Sequence, residues 1–117
     1  MTYEELAKQK LNFNNQGEEK FECIENMDTT FVLCKVTIEG TVMQPRNSIR
    51  YAVYNIKTNE MVYEGNVDGG FVRWYDKNRL EIYQQLGIPM EGISRDDMIK
   101  IYDVVEKTLH SKSNLEK

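Results

Sequence analysis

Apolar and polar residues alternate with a period of two along most of this chain. Val32, Cys34, Val36 and Ile38 interleave with Leu33, Lys35, Thr37 and Glu39, which predicts a strand with an apolar face. The whole stretch "EEKFECIENMDTTFVLCKVTIEG" reads as a hairpin bent at residues 27–30, and "IRYAVYNIKTNEMVYEGNV" as a second hairpin bent at "KTNE". Both faces of residues 49–56 are apolar, the mark of a strand covered on two sides. "TVMQPRNS" between the hairpins carries turn residues, Pro45 and Asn47. A helical period marks the N-terminus, and a second is possible in the C-terminal third, where Met98, Ile101, Tyr102, Val105 and Leu109 would share one face. In "TYEELAKQKL" Tyr3, Leu6, Ala7 and Leu11 share a face, and Thr2 with Glu5 makes a capping box.

"GGFVRWYDKNRLEIYQQLG", residues 69–87, admits two elements. Asp76 is a good helix N-cap, and Gly87 with Pro89 a good stop. A three-residue loop at 76–78 instead pairs Trp74 with Leu80, Val72 with Ile82, Phe71 with Tyr83 and Arg73 with Glu81. That register gathers Val72, Trp74, Leu80 and Ile82 on one apolar face and sets opposite charges, Arg73 and Glu81, across from each other on the other, so the hairpin is preferred. "ISRDDMIKIYDVVEKTL" is also double. Ser94 and Asp97 suit a helix cap, while β-branched Ile99, Ile101, Val104 and Val105 suit a strand; strand is slightly preferred over a C-terminal helix. An internal echo supports it, because Tyr54-Asn55-Ile56 and Tyr102-Asp103-Val104 stand in similar strand-and-bend contexts. Residues 70–108 resemble one blade of a β-propeller. One blade cannot make a propeller, so the resemblance implies only a meander of strands.

The predicted fold is therefore mainly β: an antiparallel meander or sandwich of six to seven strands, with an N-terminal helix and a possible C-terminal one. A chain of 117 residues fits a single domain, divided as a helix and linker (1–15), a β-rich core (18–108) and a polar tail (110–117). A mean hydropathy of −0.61 fits a soluble globule, and no apolar run suffices to span a bilayer. The N-terminus has no signal-peptide core, so the cytoplasm is the default expectation; an exported chain trimmed of its leader would read the same. The net charge is −4, concentrated in residues 1–28, which hold seven acids and three lysines. No basic stripe is present, so nucleic acid is not an expected partner.

Candidate chemistry is sparse. His110 is the only histidine and lies close to the tail, which disfavours histidine-dependent catalysis and zinc. Glu91, Asp96 and Asp97 lack calcium-loop spacing. No cofactor or metal is implied. Cys23 and Cys34 fall opposite each other if residues 27–30 form the loop. They form either a disulfide or a pair of buried thiols, the thiols being preferred. The outer face of the 71–83 hairpin collects Phe71, Arg73, Tyr75, Arg79 and Tyr83. Aromatics and arginine are enriched at recognition hot spots, although a covering layer would give the same pattern. The expected function is a non-catalytic binding or interaction module with a protein or peptide partner, a homodimer included. The alternative is a small ligand-binding or enzymatic domain with a pocket between sheet and helix, using carboxylates or tyrosines such as Tyr51 and Tyr83.

Overall fold

The computed structural model describes residues 2–13, 19–39, 47–84 and 98–112. Helix α1 (Tyr3–Lys10) begins where Thr2 Oγ1 accepts the Glu5 backbone N–H at 3.4 Å. Glu4 and Glu5 lie in its first turn, Lys8 and Lys10 in its last, complementing the macrodipole. Its apolar face buries Ala7 and Leu11.

Eight strands follow among the described residues, against the six to seven expected: β1 (Glu19–Glu25), β2 (Phe31–Ile38), β3 (Ser48–Asn55), β4 (Met61–Asp68), β5 (Phe71–Trp74), β6 (Arg79–Tyr83), β7 (Ile99–Asp103) and β8 (Thr108–Ser111). They make two antiparallel meanders, β1-β2-β3-β4 and β5-β6-β7-β8. The 71–83 hairpin has the expected register, Trp74 opposite Leu80 and Arg73 opposite Glu81. The possible C-terminal helix is replaced by β7 and β8. There Ile99 and Ile101 fill the sheet while Val104 and Val105 fall in the turn, and Asp103 turns the chain by accepting the Val105 and Glu106 N–H groups at 2.9 Å each. β8 also takes His110 and Ser111 from the stretch read as polar tail. The proposed Ser94–Asp97 cap and the Glu91, Asp96 and Asp97 cluster lie outside the described residues.

The internal echo is a repeat of register. A shift of 48 residues carries the β2–β3 pair Val32↔Tyr54 onto Leu80↔Tyr102, and the β3–β4 pair Tyr54↔Met61 onto Tyr102↔Leu109. The turns repeat as well. Asn55 Oδ1 accepts the N–H groups of Lys57 and Thr58, as Asp103 does for Val105 and Glu106. Asn59 and Lys107 close these turns with positive φ, 59° and 58°, each donating to the cap residue's carbonyl at 2.7 Å. Asparagine tolerates that conformation better than lysine does.

The three layers follow from the two faces of the first sheet. One face, with Val32, Cys34, Val36, Ala52 and Tyr54, packs beneath α1. The other, with Leu33, Ile49, Tyr51, Val53 and Val67, packs on Val72, Leu80, Ile82 and Tyr102 of the second sheet. Identical turns fix which way the residue before the cap points. Tyr54 points to the helix and Tyr102 to the first sheet, so the sheets stack front to back rather than face to face. Cross-layer bonds tie the stack together. Trp74 Nε1 donates to the Ile24 carbonyl at 2.9 Å, Lys35 Nζ to the Val72 carbonyl at 3.2 Å, and Asn26 Nδ2 to the Lys77 carbonyl at 2.7 Å. Tyr63 stacks on Tyr102 with ring centroids 3.7 Å apart.

Candidate functional site

All five residues of the predicted row lie on the back of the second sheet, turned away from the first, and they form two clusters. Phe71 and Tyr83 pair across β5 and β6 with ring centroids 5.5 Å apart. The Arg73 guanidinium lies 4.4 Å over the Phe71 ring, and its Nε donates to Glu81 at 2.6 Å. One strand end away, Arg79 lies 5.2 Å over Tyr75 and donates its Nε to Asp76 at 2.6 Å.

The row is not an open face. Ile99, Ile101 and Glu81 along its centre are 3%, 1% and 3% exposed. Phe71, Arg79 and Tyr83 are half-buried, and only Arg73 and Tyr75 are exposed. A rim is therefore available rather than a surface. Glu81 organises it by accepting from Arg73 and, at 2.8 Å, from Lys112 Nζ. Burial alone would raise its pKa, but the hydrogen bonds from Lys112 and Arg73 outweigh that and hold it below the usual carboxylate range. By the 48-residue shift, Glu81 occupies the place of Leu33, which is fully buried between the sheets.

A second candidate region lies between α1 and β4. Two clefts of about 440 and 420 Å³ run along this seam. Leu6, Tyr54 and Met61 line the first; Lys10, Arg50 and Asn66 line the second. The Lys10–Glu64 ion pair, 3.3 Å, spans the boundary between them. Sequence reasoning proposed a pocket between sheet and helix using carboxylates or tyrosines such as Tyr51 and Tyr83, and of these Tyr51 lines the second cleft, beside Glu64. Tyr51 is only 3% exposed there, and burial with the neighbouring Tyr63 raises its pKa. Its hydroxyl lies over Gly65, where an added Cβ would come within 2.5 Å of it. Tyr83 stands in the other sheet, so the two tyrosines do not form a site. The signal for β4 was its acids: Glu64 and Asp68, four residues apart, share one face of the strand, with Glu60 just before it.

Cys23 and Cys34 are opposite in register and joined by a disulfide, where the sequence reading preferred free thiols. In the second sheet Val72 and Ile82 form the corresponding pair. His110 is exposed and borders a cavity of about 180 Å³ with Arg79 and Asp103. Among the described residues no three His, Cys, Asp or Glu side chains converge to hold a metal ion, and no helix is long and apolar enough to cross a membrane.

None of the protein-family models, curated proteins or solved structures compared with this chain matches it. Its class is therefore defined by architecture alone: a helix-capped stack of two four-stranded meanders.

Proposed function

We propose that this chain is a non-catalytic protein-interaction module whose contact surface is the rim of the second sheet at Arg73, Tyr75 and Arg79. The observation that carries this reading is the pair of guanidinium–ring stacks, Arg73 on Phe71 and Arg79 on Tyr75, adjacent on one face. Aromatic and arginine side chains held by neighbours lose little entropy on binding and bring large contact area. Arg73 is held by Glu81 yet keeps 61% of its side chain exposed. The test is capture of partners by the native chain and by an Arg73→Ala/Tyr75→Ala variant, followed by titration of any captured protein in purified form. Loss of a partner with the fold intact, and affinity at least about tenfold weaker, supports the rim. An identical partner set with equal affinities rejects it.

One observation favours the alternative, a small-ligand domain. The clefts beside α1 lie within the roughly 300–1,000 Å³ range of ligand sites. Screening metabolites by thermal shift tests it, and a Lys10→Ala/Glu64→Ala variant that leaves a hit's shift unchanged argues against that location. The Cys23–Cys34 bond supports residence in an oxidising compartment over the cytoplasmic default. Mass spectrometry of the native protein decides it, since free thiols add two hydrogen masses.

A further inference from the structure

The seam between α1 and β4 has a use that the rim does not explain. We propose that α1 and β4 form the two banks of a groove that takes an extended, basic segment of a partner protein as an added strand.

β4 is an edge strand eight residues long, about 27 Å, and among the described residues no strand pairs with its outer side. The phase of its hydrogen bonds is fixed at one end, where the Gly69 N–H donates to the Asn47 carbonyl at 2.7 Å. In an antiparallel ladder the bonded pairs alternate. Residues 63, 65 and 67 thus bond inward to β3, and the backbone groups of Glu64, Asn66 and Asp68 point outward. All three residues are exposed. Free edges of this length are usually blunted by lysine, proline or bulges. Here the register irregularity lies at the turn end, between Val53 and Tyr54 of the partner strand, and leaves residues 63–68 regular.

The side chains of Glu64 and Asn66 lie on the helix side of the sheet, opposite Ala52 and Arg50. A strand added along β4 would direct every second side chain to that same side, over the two clefts that separate α1 from the sheet. Strand addition beside a helix combines backbone bonds for affinity with pockets for alternate side chains. The cleft at Leu6, Tyr54 and Met61 offers apolar contact, and Met61 is 40% exposed.

Charge selects the occupant. Glu60, Glu64 and Asp68 are exposed on or beside the strand, and no lysine or arginine occurs from residue 58 to residue 72. Lys10 is the nearby counter-ion, about half-exposed and 3.3 Å from Glu64, so an incoming lysine can take its place. Arg50 is already committed to the Leu11 carbonyl, at 2.9 Å, and to Glu19. Two β4 edges brought together would oppose acid to acid, which disfavours a second copy of this chain and favours a basic strand.

The experiment uses the whole chain, ¹⁵N-labelled, titrated with three blocked eight-residue peptides: alternating lysine and valine, alternating glutamate and valine, and the basic peptide with a central proline. The expected result is saturable shifts at Glu64, Asn66, Asp68 and α1 with the basic peptide, and binding at least about tenfold weaker for the other two. Two variants report separately. Asn66→Pro removes an outward N–H and abolishes binding; Glu64→Lys/Asp68→Lys keeps the backbone and reverses the preference toward the acidic peptide. Shifts confined to the Arg73–Tyr75 rim, equal binding of the proline peptide, or an unaltered charge preference in the double-lysine variant would each overturn the proposal. So would concentration-dependent dimerisation in sedimentation that broadens the β4 resonances, which would assign the edge to a second copy. Failure here leaves the rim standing, since its variants lie in the other sheet.

Discussion

A single residue decides what the back of the second sheet becomes. Where the first sheet has Leu33, buried against its neighbour, the second has Glu81 bonded to Arg73 and Lys112. A buried carboxylate with two cationic donors costs more to leave unpaired than the pair contributes in isolation. Glu81→Gln is expected to lower stability by about 1–3 kcal/mol, measured by urea unfolding at pH 7. The pH profile gives the sign. The folded pKa of Glu81 lies below its unfolded value, so its stabilisation is complete above the unfolded value and is lost as pH falls through the folded one. The native chain is expected to lose more stability than Glu81→Gln between about pH 5 and pH 2. Equal slopes would show that Glu81 carries no linked proton. The pairing of Arg73 with Glu81 was legible in the sequence because opposite positions in a hairpin follow from loop length alone. The burial of Glu81 was not, because burial depends on what lies above a sheet.

Hairpins were the most legible elements. The registers of β1–β2 and β5–β6 follow from alternation and from polar bends at residues 27–30 and 76–78. β7 and β8 were less so, since a helix cap and β-branched residues competed within one segment. The bonds of the turn caps could not be anticipated. Asn26 is 4% exposed and uses its whole amide. Oδ1 accepts from the Thr30 and Phe31 N–H groups, and Nδ2 donates to Thr30 Oγ1 and to the Lys77 carbonyl of the next sheet. Asn26→Ala orphans several buried groups and is expected to cost about 2–3 kcal/mol, with faster hydrogen exchange at both the 26–31 and the 75–79 turns. Exchange changing at only one turn would show the cross-layer bond to be unimportant. The disulfide makes a comparable element-level test. Because Val72 and Ile82 hold the matching places, Cys23→Val/Cys34→Ile is expected to keep the fold, while losing up to about 3 kcal/mol from the freed short loop. A variant that fails to fold would show that the first sheet depends on the bond.

At the scale of the molecule, alternation predicted a β-rich chain with a helix at its start, and that is the architecture. The order of layers was hidden. Two sheets can pack with a two-fold between them or as successive copies facing one way, and a period of two does not distinguish these arrangements. Tyr54 and Tyr102 do, but only once their turns are seen to be alike. The layering makes Leu33 and Glu81 equivalent in register and opposite in tolerance. Leu33→Glu should cost at least about 3 kcal/mol, because it places an unpaired charge between the sheets. Its thermal midpoint should fall well below that of Glu81→Gln, and similar midpoints would contradict the stacking.

A column with a direction has unlike ends, and each needs its own closure. In this chain an amphipathic helix closes the first end and a carboxylate clasped by two cations helps close the last. The two ends differ at one register position, since the clasped acid occupies a place that is aliphatic one layer earlier. A four-stranded unit placed between the halves would therefore meet an apolar face on each side.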